Sequence, residues 1–475
     1  MTNRLAQTLA NLLGQAGWLT GADASGYSRD WLNRYGELPL GVARPASTSE
    51  VAAVVAACHQ AGVPVTPQGG NTGLCGASVL DEPAGVILSL SRMTKVGRSD
   101  PAAGSIEVEA GVVLATLHEA LLADDLIFPM HLGAEGSAQI GGLIATNAGG
   151  SHALRYGTMQ DMVLGLEVVL PDGRVWNGLR AVQKDNAGYQ LRRLFCGAEG
   201  TLGVVTRAVL KLFTAPRNRA TALLTLPDVQ SLLAFAKRLR ESAGEFISGL
   251  EFFCDFGLDM ALRHVRGVNY PLQERASWYL LLEMTAGSPL VPLEEIFEAA
   301  LTKGLECGEV LDGVLAVNEA QRTALWRLRE EQPEGQRLEG AQLKHDISVP
   351  PGLLAEFIAQ ARESCERVLP GVRVNPFGHL GDGNTHFNLT PPLGQSGFGD
   401  LAPVLAQQIG ALAGALGGSF AAEHGLGRAK VSLADVLRSQ EERSLMAAIK
   451  QAIDPKNLMN PGAVLHRPHR AATVD

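Results

Sequence analysis

The opening stretch, MTNRLAQTLANLLGQAGWL, sets leucines at 5, 9, 12 and 13 among polar side chains. Positions three and four apart share a helical face, so this spacing predicts an amphipathic helix. Its polar residues also interrupt any signal-peptide core. The rhythm then changes. LGVARPASTSEVAAVVAACHQAGVPVTPQGG reads as strand, capped helix, short strand and glycine turn, with Ser47 or Thr48 as the cap and Glu50 in the first turn. GVILSLSRM and SIEVEAGVVLATL repeat the strand-then-helix pattern. Residues 161–213 give several apolar strands, with PDG at 171–173 as a hairpin turn. From 217 to 325 longer helical stretches such as SLLAFAKRLRESAG alternate with strands such as WYLLLEM. After about 425 the pattern is helical in LADVLRSQEERSLMAAIKQAI, followed by DPKNLMNPG. These shifts divide the chain into 1–37, 38–216, 217–424 and 425–475, the last expected to pack back on the second. No internal repeat or low-complexity tract interrupts them.

Composition narrows the class. A chain of 475 residues, 46% hydrophobic and 19% charged, is long enough for two or three domains around a large core. A net charge of −9 and a pI of 5.7 disfavour a nucleic-acid backbone as partner. No apolar run approaches the ~20 residues of a membrane-spanning helix. Six cysteines, at 58, 75, 196, 254, 307 and 365, show no CxxC and read as reduced thiols, so a cytoplasmic location is expected.

The 54 glycines are clustered, and the clusters carry the first chemistry. PVTPQGGNTGLCGASV (64–79) offers successive backbone N–H groups, a concave nest suited to a pyrophosphate. HLGAEGSAQIGGLIATNAGG (131–150) is too rich in small residues to pack as an ordinary helix or strand, and reads as backbone lying against a flat or extended ligand. FCGAEGTLGVVTRAVLKL (195–212) runs from a glycine turn into a strand. A glycine-rich turn without a ligand could account for the first cluster alone, less readily for three. The site is not of the Rossmann type: the one GxGxxA match, GFGDLA (397–402), follows turn residues, not a strand.

The second chemistry lies in NPFGHLGDGNTHFNL (375–389). Strand alternation puts His386 and Asn388 on one face, with Phe387 and Leu389 on the other, and the GHLGDG turn can fold His379 back toward them. Two imidazoles and a carboxylate make a metal triad with an open position. Glu423, in FAAEHGLGRAK, is the candidate carboxylate, and Asp382 is the sequence-near rival or a partner orienting a histidine. The same pattern also fits hydrogen-bonded loop histidines beside an active site. Glu423 and His424 can face one site only if the backbone is irregular, which Gly425 and Gly427 allow. In LWRLREEQPEGQRLEGAQLKHDISVP (325–350) the helix should break at Pro333. Arg329 and Lys344 read by themselves as either a solvated face or an anion grip.

Together these segments resemble the FAD domain of the vanillyl-alcohol oxidase/p-cresol methylhydroxylase (PCMH) superfamily. PQGGNTG, GAEGTLGVVT and the later histidine motifs are similar to its D-2-hydroxy-acid dehydrogenase branch, D-2-hydroxyglutarate dehydrogenases in particular. The resemblance implies an α+β chain: an N-terminal helical segment, a two-subdomain PCMH-type FAD-binding domain (38–216), an α/β substrate- and metal-binding domain with an antiparallel sheet (217–424), and a small helical C-terminal region. It assigns cofactor contacts to Pro67, Gly69, Gly70, Asn71, Thr72, Gly73, Leu74, Gly76 and Ser78; to Gly133, Gly141, Gly142, Thr146, Asn147, Gly149, Gly150, Tyr156 and Gly157; and to Glu199, Gly200, Gly203, Val204 and Asn460. Some relatives attach flavin through a histidine in the first loop. Asn71 stands in that region here, so FAD is expected to be dissociable.

By the same resemblance His379, His386 and Glu423 hold a divalent metal, zinc first, with iron or manganese open. His424 is the general base, Arg329 and Lys344 grip substrate carboxylate, and Asn388 binds substrate from the metal face. The implied reaction oxidises a D-2-hydroxy acid, D-2-hydroxyglutarate first, passing electrons to an electron-transfer flavoprotein or a quinone; a homodimer is implied. D-lactate, D-malate and glycolate are the alternative substrates. A flavin-binding, non-catalytic subunit of a glycolate-oxidase-like complex and an NADPH-using reductase of cell-wall synthesis are the alternative functions. One departure stands out: the branch carries Thr or Ser four residues after the arginine, where this chain has Pro333.

Overall fold

Leu5, Leu9 and Leu13 are buried, whereas Leu12 is 39% exposed, so the first helix uses a stripe narrower than its leucine pattern. In this computed structural model, which describes residues 2–467, that helix runs Thr2–Gly17 and packs on a second, Thr48–Ala61. Of the two candidate caps, Ser47 serves: its side chain accepts the Glu50 N–H at 3.2 Å, while Glu50 accepts the Ala46 N–H at 2.8 Å.

The chain divides into two compact units: one holds residues up to 150, 156–214 and from 423 onward, the other 151–155 and 215–422. The segments read separately as 1–37 and 425–475 therefore count with the first unit as far as they are described; Met1 and residues 468–475 lie outside the described residues.

The first unit has two principal sheets. One, ordered Trp18–Leu19, Gly41–Ala43, Val86–Ser89, Val65–Gln68, is parallel except at its first pair. The other is antiparallel, ordered Ser105–Glu109, Val204–Lys211, Val163–Val169, Val175–Gly178, with the expected PDG turn joining the last two. The late helical region forms two helices, Val431–Leu437 and Gln440–Ile453, because Ser439 starts a new capping box with Glu442. Beyond them the chain lies along Val65–Gln68: Val65 N–H donates to Leu458 O and Asn460 N–H to Val65 O, both at 2.8 Å.

The second unit is built on a seven-stranded sheet, paired antiparallel throughout: Asp312–Leu315, Asn218–Leu226, Trp278–Ala286, Ile247–Cys254, Arg373–His379, Asn384–Thr390, Asp346–Ser348. All nine residues of the Trp278–Ala286 strand are buried, which explains the apolar run WYLLL that precedes Glu283. On one face Leu223, Phe253, Tyr279, Leu281 and Phe377 pack against Leu258 and Ala261 of one helix and Leu325, Trp326 and Leu328 of another. Pro333 breaks the Glu319–Glu330 helix and starts Gln332–Glu339, where its missing N–H costs nothing.

Candidate active site

In the first unit the glycine clusters meet. The Gly69–Gly70 turn lies so close to the second cluster that a Cβ on Gly70 would fall 1.9 Å from Ser137 O. A cleft of about 1030 Å³, including its open mouth, follows. Of the sequence-assigned residues, Pro67, Gly69, Gly70, Asn71, Thr72, Gly73, Ser78, Gly141, Gly142, Thr146, Glu199, Gly200, Gly203 and Val204 line it. Sequence reasoning missed Gln68, Cys75, Gln139, Leu143, Phe195 and Val205, which line it too. Gln68 donates to Tyr27 O at 3.0 Å and Ser78 O at 2.8 Å, closing the first loop from beneath.

The cleft fits a bound cofactor on two grounds. Side chains on Gly73 or Gly142 would meet no protein atom within 4 Å, so both positions leave space. Gln139 Oε1 is a buried acceptor with no hydrogen-bond partner among the described residues, and a ligand donor would satisfy it.

The other assigned positions lie outside the lining, for local reasons. Asn147 caps the Ile140–Thr146 helix and accepts the Gln160 N–H at 2.9 Å. Tyr156 meets the Phe213 ring edge-on at 4.7 Å, with Gly157 beside it against Asp161. Gly76 sits under Tyr35, and Gly149 and Gly150 against Glu423 and His131 O. Gly133 is exposed and Leu74 half-buried in its loop. Asn460 is a buried strut, donating to Ala77 O at 2.8 Å and Glu199 O at 2.7 Å.

His424 lines the same cleft. Its segment is irregular, as the sequence requires, with Gly425 at φ +74°. Glu199 holds that segment: its two carboxylate oxygens accept the Leu426 and Gly427 N–H groups, each at 2.8 Å. Glu423 Oε1 lies 3.7 Å from His424 Nε2. Burial pushes the Glu199 carboxyl up to about 7, only partly offset by the two N–H donors. A carboxyl raised from its ordinary 4.5 binds more protons folded than unfolded, so its contribution to stability declines as pH rises between those values. Glu199→Gln is therefore expected to flatten the fall in stability between pH 5 and about 7, a slope of up to about 1.4 kcal/mol per pH unit. Urea midpoints across that range check it, and an unchanged slope in the variant would refute it.

In the second unit one sheet face gathers the rest. Glu251 stands opposite His379 in the strand ladder, and its Oε1 lies 2.6 Å from His379 Nδ1. Arg329 reaches it from the helix above, Nε to Oε2 at 2.8 Å, with side-chain exposures of 10% for Arg329 and 2% for Glu251. On the neighbouring strand of the same face, Glu283 takes the Trp326 indole N–H at 3.0 Å and Arg322 at 3.3 Å. Arg322, Trp326 and Arg329 thus form one helical stripe laid across two buried carboxylates. The Arg329 guanidinium stacks 4.8 Å over the Phe377 ring, and Phe377 lies 5.0 Å from His386. The His379 and His386 rings are 5.9 Å apart. Burial would raise the Glu251 carboxyl, but its partners His379 and Arg329 outweigh it and hold it below the usual carboxylate range.

The remaining residues fall on the adjoining ribbon. Counting along the ladder from Asp346–His386 and Leu343–Leu389, Lys344 stands opposite Asn388. Asn388 is buried, accepting the His345 N–H at 3.2 Å and donating to Gln336 at 3.0 Å. Asp382, the sequence-near rival carboxylate, is instead exposed and turned onto the Asn384 N–H at 3.0 Å. The carboxylate that orients His379 is Glu251. Its signal was present: a lone acid inside the apolar strand ISGLEFFC, which a buried charge occupies only when paired.

Residues 39–178 match the family model described as FAD binding domain, and residues 215–464 the one described as FAD linked oxidases, C-terminal domain. The chain is 36% identical over 460 residues to the probable mitochondrial D-2-hydroxyglutarate dehydrogenase of Oryza sativa subsp. japonica, covering 96% of this chain and 80% of that one. It is 38% identical over 459 residues to D-2-hydroxyglutarate dehydrogenase of Xanthomonas citri pv. viticola, covering 95% and 94%. Among solved structures, p-cresol methylhydroxylase with substrate bound aligns at a TM-score of 0.76 and 15% identity, over 98% of this chain and 97% of that one, a likeness of fold. The chain belongs to the FAD-linked oxidases, in the family of the D-2-hydroxyglutarate dehydrogenases.

Proposed function

We propose that the chain is an FAD-dependent dehydrogenase that oxidises a D-2-hydroxy acid, D-2-hydroxyglutarate first, to the 2-oxo acid. The observation that carries the reading is the convergence of the three glycine clusters and His424 on one cleft in a chain of this family. Bound in that cleft, FAD supplies the two-electron acceptor for the hydride leaving the substrate Cα. His424 takes the hydroxyl proton, with imidazole chemistry matched to neutral pH. Arg329 holds substrate carboxylate through its terminal nitrogens, since Nε is engaged by Glu251. Lys344 adds a second cation, and Asn388 keeps one amide N–H for substrate beside the bond to Gln336. Dissociable FAD follows from Asn71, whose side chain is committed to Arg29 O and Ser78.

His379 and His386 would hold a divalent metal, zinc first, with Glu423 as the third ligand carried by the resemblance. The chemistry fits: a histidine tied at Nδ1 to a buried carboxylate is oriented to coordinate through Nε2. Such an ion would lower the pKa of the substrate hydroxyl.

Pro333 favours a second reading, a substrate with one carboxylate such as D-lactate. It stands where the branch supplies a hydroxyl, and a proline side chain donates no hydrogen bond. Anaerobic bleaching of the flavin by a panel of D- and L-hydroxy acids decides. D-2-hydroxyglutarate is expected to bleach it fastest; faster bleaching by D-lactate selects the second reading, and bleaching by L-acids alone overturns both. Metal content measured on the same sample tests the ion.

A further inference from the structure

A second cluster of ligand-type side chains lies in the first unit. His118 sits on the Leu114–Leu121 helix; His131 and Glu135 sit on the loop that opens the second glycine cluster. His131 Nδ1 is 2.8 Å from Glu135 Oε1, which also accepts the Leu132 N–H at 3.2 Å. His118 Nδ1 is 3.5 Å from Glu135 Oε2, and the two imidazole rings are 4.9 Å apart.

The tautomer of His118 makes this more than an ion pair. Its Nε2 lies 3.0 Å from Phe128 O, and a carbonyl oxygen only accepts, so Nε2 carries the hydrogen. In the neutral ring Nδ1 is then a lone pair, aimed at a carboxylate oxygen that also only accepts. Two acceptors at that range repel unless a proton or a metal cation lies between them. One nitrogen from each histidine and one Glu135 oxygen lie within 4.8 Å of one another, a spacing at which one ion can reach all three. Side-chain exposures of 21%, 42% and 31% for His118, His131 and Glu135 leave the cluster open to solvent ions.

We propose that His118, His131 and Glu135 form a second divalent-metal site, of the two-histidine, one-carboxylate type that suits Zn²⁺ and binds Co²⁺ as its spectroscopic substitute. It is structural: the ion ties the helix to a loop whose far end, Ala138 and Gln139, lines the cofactor cleft. It is independent of the ion assigned to His379 and His386.

The test uses the purified full chain with its flavin, stripped of metal and reloaded with Co²⁺. Co²⁺ per chain is counted in the wild type, Glu135→Gln, His131→Asn and His386→Ala. Glu135→Gln and His131→Asn are each expected to bind one fewer Co²⁺ than the wild type at unchanged flavin content, while His386→Ala retains the Co²⁺ that they lose. Zn²⁺ is expected to raise the melting temperature of the wild type more than that of Glu135→Gln. Two variants are used so that misfolding of one leaves the other to decide. Equal Co²⁺ content in the wild type and a folded variant overturns the site, leaving protonated His118 as the cation, and so does His386→Ala binding no Co²⁺ at all.

Discussion

Replacing His424 by alanine is expected to slow anaerobic flavin reduction by about 10²–10⁴-fold, the range a positioned general base contributes. Hydride cannot leave Cα productively while the hydroxyl keeps its proton, and His424 is the imidazole lining the cofactor cleft. Flavin content should hold, because the walls of the cleft come chiefly from the three glycine clusters. The deficit should shrink as pH rises and solvent base takes over. Stopped-flow absorbance on variant and parent at matched flavin loading measures it. Rates within a few-fold of each other would remove His424 from the proton transfer.

Removing Glu251 acts through structure. Glu251→Ala is expected to destabilise the second unit by about 3–5 kcal/mol, the cost of leaving a buried partner charge uncompensated. Arg329 would lose a buried counter-charge while still sealed against Phe377, and His379 its orienting acceptor. Against a total stability of about 5–15 kcal/mol this is a large fraction, readable as a shift in urea midpoint. The isosteric Glu251→Gln should recover the packing and remain weak in substrate affinity, because a neutral amide cannot orient Arg329 as strongly. A midpoint unmoved by Glu251→Ala would show that the pair contributes nothing, as many surface ion pairs do.

What the sequence made legible is local. The capped helix at Ser47, the hairpin at 171–173 and the break at Pro333 each depend on residues within a few positions. The glycine clusters were readable because backbone approach demands glycine whatever the ligand. The Glu251–His379 contact was not, since its partners are 128 residues apart and ladder register joins them. Asp382 stood as the rival carboxylate through proximity in sequence, yet a short turn returns it to its own backbone. Asn147, Tyr156, Gly157 and Asn460 were assigned to the cofactor by their company; in the structure they also serve as cap, ring contact, tight approach and strut. Composition cannot separate a residue that touches a ligand from one that holds the residue that does.

The pairing of Val65 with Leu458 and Asn460, and the grip of Glu199 on Leu426 and Gly427, have a consequence for biosynthesis. A domain whose parts are contiguous can fold as it emerges from the ribosome. Here the flavin compartment waits for a stretch translated after the entire seven-stranded module, so cofactor capture is a late event and the half-made polypeptide travels with its nucleotide cradle unsealed.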